Sequence, residues 1–471
     1  MIIEVKEMFF GREDERAFLE DKYHAEGGQL LIIYGRRRVG KTETLRKFCE
    51  DKEHVFFSCT ESPDGQQLAA FSARVLQKGV PASKYVTRFP DWQQAFESIA
   101  DLPGDGKKLV VIDEFPYMVR NNSSIPSILQ NLWDAKLKNK NVMIILCGSA
   151  MSFIEKEILA EKNPLYGRAT GILKMREMDV YDAVKFLPNY SPLEKITAYA
   201  VLGGIPHYLK QFDDRLSIAE NIQKNILTRG SILYSEVEFL MRQELRETAV
   251  YNTVIEAIAL GNTKLNDIYQ KTQIEKNKLS AYLRNLMDLG IICREFSVAD
   301  GLKEQANVQR GLYQVTDNFF RFWYAFVFPN YSELEAGDSV GVWKYEVEPE
   351  LDRYVSLVFE DICRQYLRRE NRTGNLPFRF SKMGRWWNKT DELDVLAFDR
   401  REENFLIGEC KYKNSPFTFS DMTRMQEKFK PQKADAKVYC WMFSKSGFAE
   451  AVLEEAERKG LYAVTPEQLG L

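Results

Sequence analysis

Leu30-Leu-Ile-Ile-Tyr34-Gly35-Arg36-Arg37-Arg38-Val39-Gly40-Lys41-Thr42 is the stretch that decides how this chain is read. Its first five residues are uniformly apolar and too few for a helix, the pattern of a strand covered on both faces. They run into Gly-x-x-x-x-Gly-Lys-Thr. Glycines at those two places let the backbone turn sharply, so that successive N–H groups converge on an anion. Lys41 is spaced to reach the β- and γ-phosphates of a nucleoside triphosphate. The Thr42 hydroxyl is spaced to ligate Mg²⁺ as a helix begins. Gly35, Arg36, Arg37, Arg38, Val39, Gly40, Lys41, Thr42 and Glu43 are therefore the expected nucleotide-binding residues. The three arginines add positive potential beside the phosphates.

Short apolar runs recur outward from this loop at Val55–Ser58, Leu109–Ile112, Val142–Cys147 and Gly171–Met175. Amphipathic stretches alternate with them at Thr42–Glu50, Gln66–Lys78, Asp91–Ala100 and Ser124–Lys138. Alternation of this kind predicts an α/β fold, a P-loop parallel sheet with helices on both sides, over residues 1–176. Leu109-Val-Val-Ile-Asp113-Glu114 ends a strand in two carboxylates, at the sheet edge where ligands of open α/β folds sit. Asp113 is expected to hold Mg²⁺ through water, and Glu114 to orient and deprotonate the attacking water. Ser149 follows another strand and is spaced to sense the γ-phosphate. Arg168, in Leu165-Tyr-Gly-Arg168, is a candidate to neutralise transition-state charge in its own or a neighbouring subunit.

The 471 residues carry a formal net charge of −3, so nucleic acid would have to be met by a local patch. No apolar run reaches the ~18 residues a membrane span requires, and the first residues lack the apolar core of a signal peptide. Seven scattered cysteines, with no Cys-x-x-Cys, argue for a reducing cytoplasm and against a zinc or disulfide framework.

Residues 177–247 read as a helical lid, broken at Pro188, Pro192 and Gly203-Gly204-Ile-Pro206. Residues 248–318 show three short helices and then a hairpin, the rhythm of a winged helix. Its third helix offers Lys276, Lys278 and Arg284 to DNA, though such modules also pack against protein. In residues 319–345, Phe319–Phe328 is expected to be a buried aromatic helix and Ser332–Ser339 a polar linker.

Residues 346–471 carry a second constellation. Leu393–Phe398 and Phe405–Lys411 read as paired strands around the polar turn Asp399–Asn404. Side chains alternate along a strand, so Glu409 and Lys411 share a face while Cys410 points away. The hairpin can bring Asp394 beside them. Asp394 and Glu409 could then bind Mg²⁺, with Lys411 orienting a hydroxide or offsetting phosphate charge. This resembles the PD-(D/E)xK nuclease fold, a restriction-endonuclease-like α/β domain, and Glu360 on the helix Val355–Leu367 is a fourth candidate. An exposed, salt-bridged hairpin is the competing reading, and relatives of this fold can retain the residues for binding alone.

Together with Phe10-Gly11-Arg12-Glu13, Leu165-Tyr-Gly-Arg168 and Gly203-Gly-Ile-Pro206-His-Tyr-Leu, the loop resembles that of the archaeal-type ATPases, in the STAND branch of AAA+-like P-loop proteins, found in bacteria too. The resemblance implies an ATP-controlled switch able to form ATP-dependent homo-oligomers. It also implies that Phe10, Gly11 and Arg12 lie by the adenine and Pro206 near the nucleotide. The expectation is a Mg²⁺-dependent, cytoplasmic ATPase switch coupled to a nuclease-like domain acting on DNA. The alternative is an ATP-regulated DNA- or protein-binding regulator whose nuclease-like end is inert. A translocating motor finds no helicase motif to support it.

Overall fold

The first apolar run, β1 (Gln29–Tyr34), is buried at every position. On one side it pairs with β4 (Val142–Gly148) and on the other with β5 (Gly171–Lys174). Beyond β4 lie β3 (Lys108–Asp113) and then β2 (His54–Ser58), giving the order β2-β3-β4-β1-β5, all parallel. The registers Tyr34↔Gly148 and Ile112↔Leu146 bring Gly35, Asp113 and Ser149 out at one edge. That is the carboxyl edge, where the strand order reverses and a crevice opens. Leu30, Ile32, Val110, Ile112, Ile144 and Leu146 make the core on one side of the sheet, under Phe71, Trp92 and Phe96.

The computed structural model describes residues 9–245, 247–301, 305 and 310–471. Residues 1–8 of the expected first domain and most of the polar loop before Gly311 lie outside the described residues. Two compact units result: one holds the chain up to Met178 with Ile205–His207, the other Asp179–Gly204 with Tyr208–Leu471. No helix among the described residues is long and apolar enough to cross a membrane.

The second unit begins helically, with Pro192–Leu202 started by a reciprocal Ser191–Glu194 capping box. Three helices follow, Thr248–Ala259, Leu265–Thr272 and Lys276–Asp288, and then an antiparallel ribbon of β6 (Ile292–Glu295) and β7 (Leu312–Val315). The aromatic stretch is helical and buried: Phe319, Phe320, Phe322, Trp323 and Tyr324 are all shielded, and the Trp323 indole donates to the Tyr234 carbonyl at 2.8 Å. The expected linker at 332–339 is instead structured. Tyr331–Glu335 and Ser339–Val342 are short helices, because Leu334 is buried and the Asp338 carboxylate caps the second at Gly341 N.

The helix Leu351–Thr373 runs 23 residues and stops at Gly374, in the left-handed region at φ 79°. β8 (Lys382–Trp387), β9 (Glu392–Phe398) and β10 (Asn404–Lys411) form an antiparallel meander. β11 (Lys437–Ser444) and β12 (Tyr462–Val464) then add in parallel, in the order β12-β11-β10-β9-β8. The crossovers carry the helices Phe419–Lys428 and Glu450–Lys459, and Leu396, Ile407, Met422, Met425, Met442 and Val452 make the core they cover.

Candidate functional site

The loop after β1 folds as its glycines require. Gly40 sits at φ 93°, and a Cβ on Gly35 would come within 2.3 Å of the Met175 carbonyl oxygen. Lys41, buried, donates from Nζ to the carbonyls of Gly35 and Arg36 at 2.9 Å each. Its ammonium thus lies folded back over the loop it would share with phosphates. Burial holds its pKa below the usual lysine value, against the pull of Cys147, Glu114 and Asp113. Val39 is buried, while Arg36, Arg37 and Arg38 are half-buried and Glu43 is exposed.

The Thr42 hydroxyl donates to Asp113 Oδ2 at 2.7 Å, joining the first turn after the loop to the tip of β3. An oxygen pair this close is a fit for Mg²⁺, which takes oxygen ligands and keeps several waters. Glu114, next in the chain, has φ 52°, a sparsely populated region for a residue with a Cβ. Its carboxylate accepts from the Ser149 hydroxyl at 3.0 Å and from Ser149 N at 3.3 Å. Lys41, Thr42, Asp113, Glu114 and Ser149 are thereby gathered at the ends of three neighbouring strands.

Arg12 is buried at φ 67° and reaches the same loop from the helix Glu13–His24. Its guanidinium donates to the Val39 carbonyl and to Glu15 Oε1, both at 2.6 Å. Gly11 is also buried and Phe10 half-buried. Pro206 lies 3.7 Å from where a Gly40 Cβ would be, and His207 contacts the Arg38 guanidinium. Arg168 goes elsewhere: it pairs with Asp134 at 3.0 Å, on the helix Ile125–Ala135. Sequence reasoning missed Arg38–His207 and Cys147, which is buried on β4 beside Asp113.

In the second unit the β9–β10 register runs to Gly408↔Val395, so Glu409 comes opposite Asp394. Cys410 N donates to Asp394 Oδ2 at 2.7 Å. Glu409 is buried, and each of its oxygens takes a lysine: Lys411 on Oε1 at 2.6 Å and Lys428 on Oε2 at 2.7 Å. Burial, reinforced by the Glu409 charge, pushes the Asp394 carboxyl upward. Burial, and then the Asp394 charge, does the same to Glu360, against Arg385 and Arg364. Glu360, Asp394, Glu409 and Lys411 are thus one cluster. Among the described residues no three or more Asp, Glu, His and Cys side chains converge as a metal cage. Divalent binding there would rest on Asp394, Glu409 and water.

Lys428, Arg385 and Arg364 are the members that sequence reasoning missed. The signal for Lys428 was available: Met422 and Met425 face inward, and the residue three further on shares that side of a helix. The three residues expected to meet DNA are on the surface of the helix Lys276–Asp288, with Lys278 paired to Glu275 at 3.2 Å and Lys276 over the Tyr269 ring. Just after the ribbon's first strand the chain is tied down: Val298 N donates to the Arg385 carbonyl of β8 at 2.9 Å.

Two family models match the chain. One, described as an ATPase domain predominantly from Archaea, covers residues 9–212. The other, described as archaeal and bacterial proteins of unknown function, covers residues 323–427. An uncharacterized protein of Methanocaldococcus jannaschii is 33% identical over 86% of this chain and 88% of its own length. An uncharacterized ATP-binding protein of the same organism is 50% identical over 46 residues, 10% of this chain and 78% of that protein. Among solved structures, the Walker-type ATPase of Pyrococcus abyssi superposes with a TM-score of 0.51 at 21% identity, over 68% of this chain and 97% of that one. That likeness shows the shared α/β fold of P-loop NTPases. The chain belongs to the family of that Methanocaldococcus jannaschii protein, matched nearly end to end, and carries an archaeal-type ATPase domain at 9–212 followed by a domain of unknown function at 323–427.

Proposed function

We propose that the chain is a Mg²⁺-dependent ATP hydrolase that works as a switch on a nuclease-like C-terminal module. The observation that carries the first half is the pair of contacts Thr42–Asp113 and Glu114–Ser149, side by side at the sheet's carboxyl edge. In this reading Lys41 exchanges its two backbone carbonyls for phosphate oxygens. Thr42 and Asp113 would hold Mg²⁺, directly and through water. When bound, the ion offsets charge on the β- and γ-phosphates. Glu114 orients the attacking water and takes its proton, and Ser149 keeps that carboxylate aimed. Arg12, Phe10 and Pro206 shape the nucleoside end. Arg168 serves as a finger only once Asp134 releases it, which a neighbouring subunit could bring about.

For the second half, our PD-(D/E)xK reading is supported by the long helix, the antiparallel meander, the parallel crossover and the pairing of Asp394 opposite Glu409. The region 361–445 holds 18 lysines and arginines against 12 acidic residues, a local surplus in an acidic chain. Over the whole module, 346–471, the count is 21 against 22, so a polyanion would be met by this local stretch alone. We read the three helices and the ribbon of 248–315 as a winged helix. With the chain fastened at Val298, just after the ribbon's first strand, we assign it the coupling of the lid to the C-terminal sheet rather than groove reading.

A second reading keeps the ATPase and makes the C-terminal module a binding domain. It is favoured by Glu409 being matched by two lysines. Incubating the full chain with DNA and Mg²⁺ or Mn²⁺, with and without ATP, separates the two. Cleavage lost in Asp394→Ala supports the nuclease; ATP-dependent DNA binding with no cutting by any metal leaves the binding reading.

A further inference from the structure

Glu409 is nearly sealed from solvent, so its charge needs a partner close by. Lys411 supplies one from the same strand, two residues on. The second comes from 19 residues away. The helix Phe419–Lys428 is started by a reciprocal box in which Thr418 and Asp421 satisfy each other's backbone N–H. Met422 and Met425 then seat its inner face on the core under β9 and β10. Lys428 ends the helix on that same face, its side chain only 17% exposed, and its ammonium meets Glu409 Oε2 at 2.7 Å. A surface lysine would be solvated; this one is held by a capped helix and two buried methionines.

We propose that Lys428 occupies the Oε2 side of Glu409 in place of a metal, and that a divalent ion entering between Asp394 and Glu409 has to displace it. The displaced ammonium is then free beside the metal to meet a phosphate. Lys428 is a positioning residue in this scheme: it sets how tightly the acid pair takes metal and couples that affinity to the arrival of a polyanion. This inference rests on the metal-binding reading of Asp394 and Glu409.

The test is Mn²⁺ titration of the full chain followed by electron paramagnetic resonance, counting the equivalent that Asp394→Ala removes. Lys428→Gln should tighten that equivalent by about tenfold, the weight of a charge-assisted contact. Lys430→Gln, which removes the same charge from an exposed position two residues away, should change it by less than about twofold. Lys428→Arg, which keeps the pair, should resemble the wild type. A second measurement uses the wild type alone. Acetic anhydride labelling of Lys428, read by mass spectrometry, should rise when Mn²⁺ is added and stay flat in Asp394→Ala. Equal tightening in Lys428→Gln and Lys430→Gln, or labelling indifferent to Mn²⁺, overturns the proposal while leaving the metal site standing. If neither wild type nor Lys428→Gln binds an equivalent that depends on Asp394, the metal site itself is refuted and this inference falls with it.

Discussion

The Ser149 hydroxyl and backbone N–H both donate to one oxygen of Glu114, at 3.0 and 3.3 Å. A carboxylate at the end of one strand is thus aimed by the residue that ends the next. Ser149→Ala should lower kcat by about ten- to a hundredfold and leave the ATP Kd within about twofold, since only the aim of the base is lost. Glu114→Gln should cut turnover by about 10²–10³ with ATP still retained. Single-turnover hydrolysis beside equilibrium nucleotide binding reads both. A Ser149→Ala enzyme with weakened ATP binding and normal kcat would instead make Ser149 a ground-state contact.

The 2.7 Å contact between Thr42 and Asp113 joins the two groups proposed to hold Mg²⁺. Thr42→Ala should raise the Mg²⁺ concentration for half-maximal hydrolysis by about tenfold or more, whereas Lys41→Ala should remove nucleotide binding outright. Hydrolysis rates across a Mg²⁺ series, at ATP far above its Kd, check the first. An unchanged Mg²⁺ requirement would take Thr42 out of the metal site.

Arg12 binds the loop without lying in it. Arg12→Ala strands the buried Val39 carbonyl and unpairs the half-buried Glu15. The expected cost is about 2–3 kcal/mol. It should be read as the urea transition that added ATP shifts, because a chain of two units need not unfold in one step. Arg12→Lys should recover part of it, having the charge without the fork.

Burial alone would push the Asp421 carboxyl up, but the Thr418 hydroxyl and N–H, with Lys413, hold it below the usual aspartate value. A lowered folded pKa contributes stability above the unfolded value, about 4, and loses it as pH falls through the folded one. Asp421→Ala should therefore cost about 1 kcal/mol at pH 7 and progressively less below pH ~4. Thermal melts of wild type and variant between about pH 3 and 7 should converge at the acid end. A constant gap would assign the loss to packing.

The ATPase sheet is legible because strands buried on both faces must be apolar throughout, as Leu30–Tyr34 and Val142–Cys147 are. Glu409 and Lys411 are legible by alternation, and Asp394 by the hairpin that the Asp399–Asn404 turn implies. Contacts between distant segments are not. Nothing local tells that Arg168 pairs with Asp134, or that Lys428 reaches back to Glu409. The stretch 332–339 misleads for a related reason. Its composition is polar, but one buried leucine and one capping aspartate suffice to fold it when neighbouring helices supply the surface.

The hydrogen bond from Val298 to the Arg385 carbonyl occupies part of the open side of β8, with Val298 packed 3.3 Å from where a Gly384 Cβ would stand. The opposite border of that sheet, β12, is three residues long. Unguarded strand borders recruit foreign strands, and short or covered ones do not. A fragment cut at residue 346 would lose this cover and present β8 bare, so it should self-associate through that border. A fragment reaching back to Asp179, where this unit begins, keeps that shield and also the Ala200 and Tyr234 carbonyls that take Tyr354 and Trp323, and is the piece in which the C-terminal chemistry can be studied.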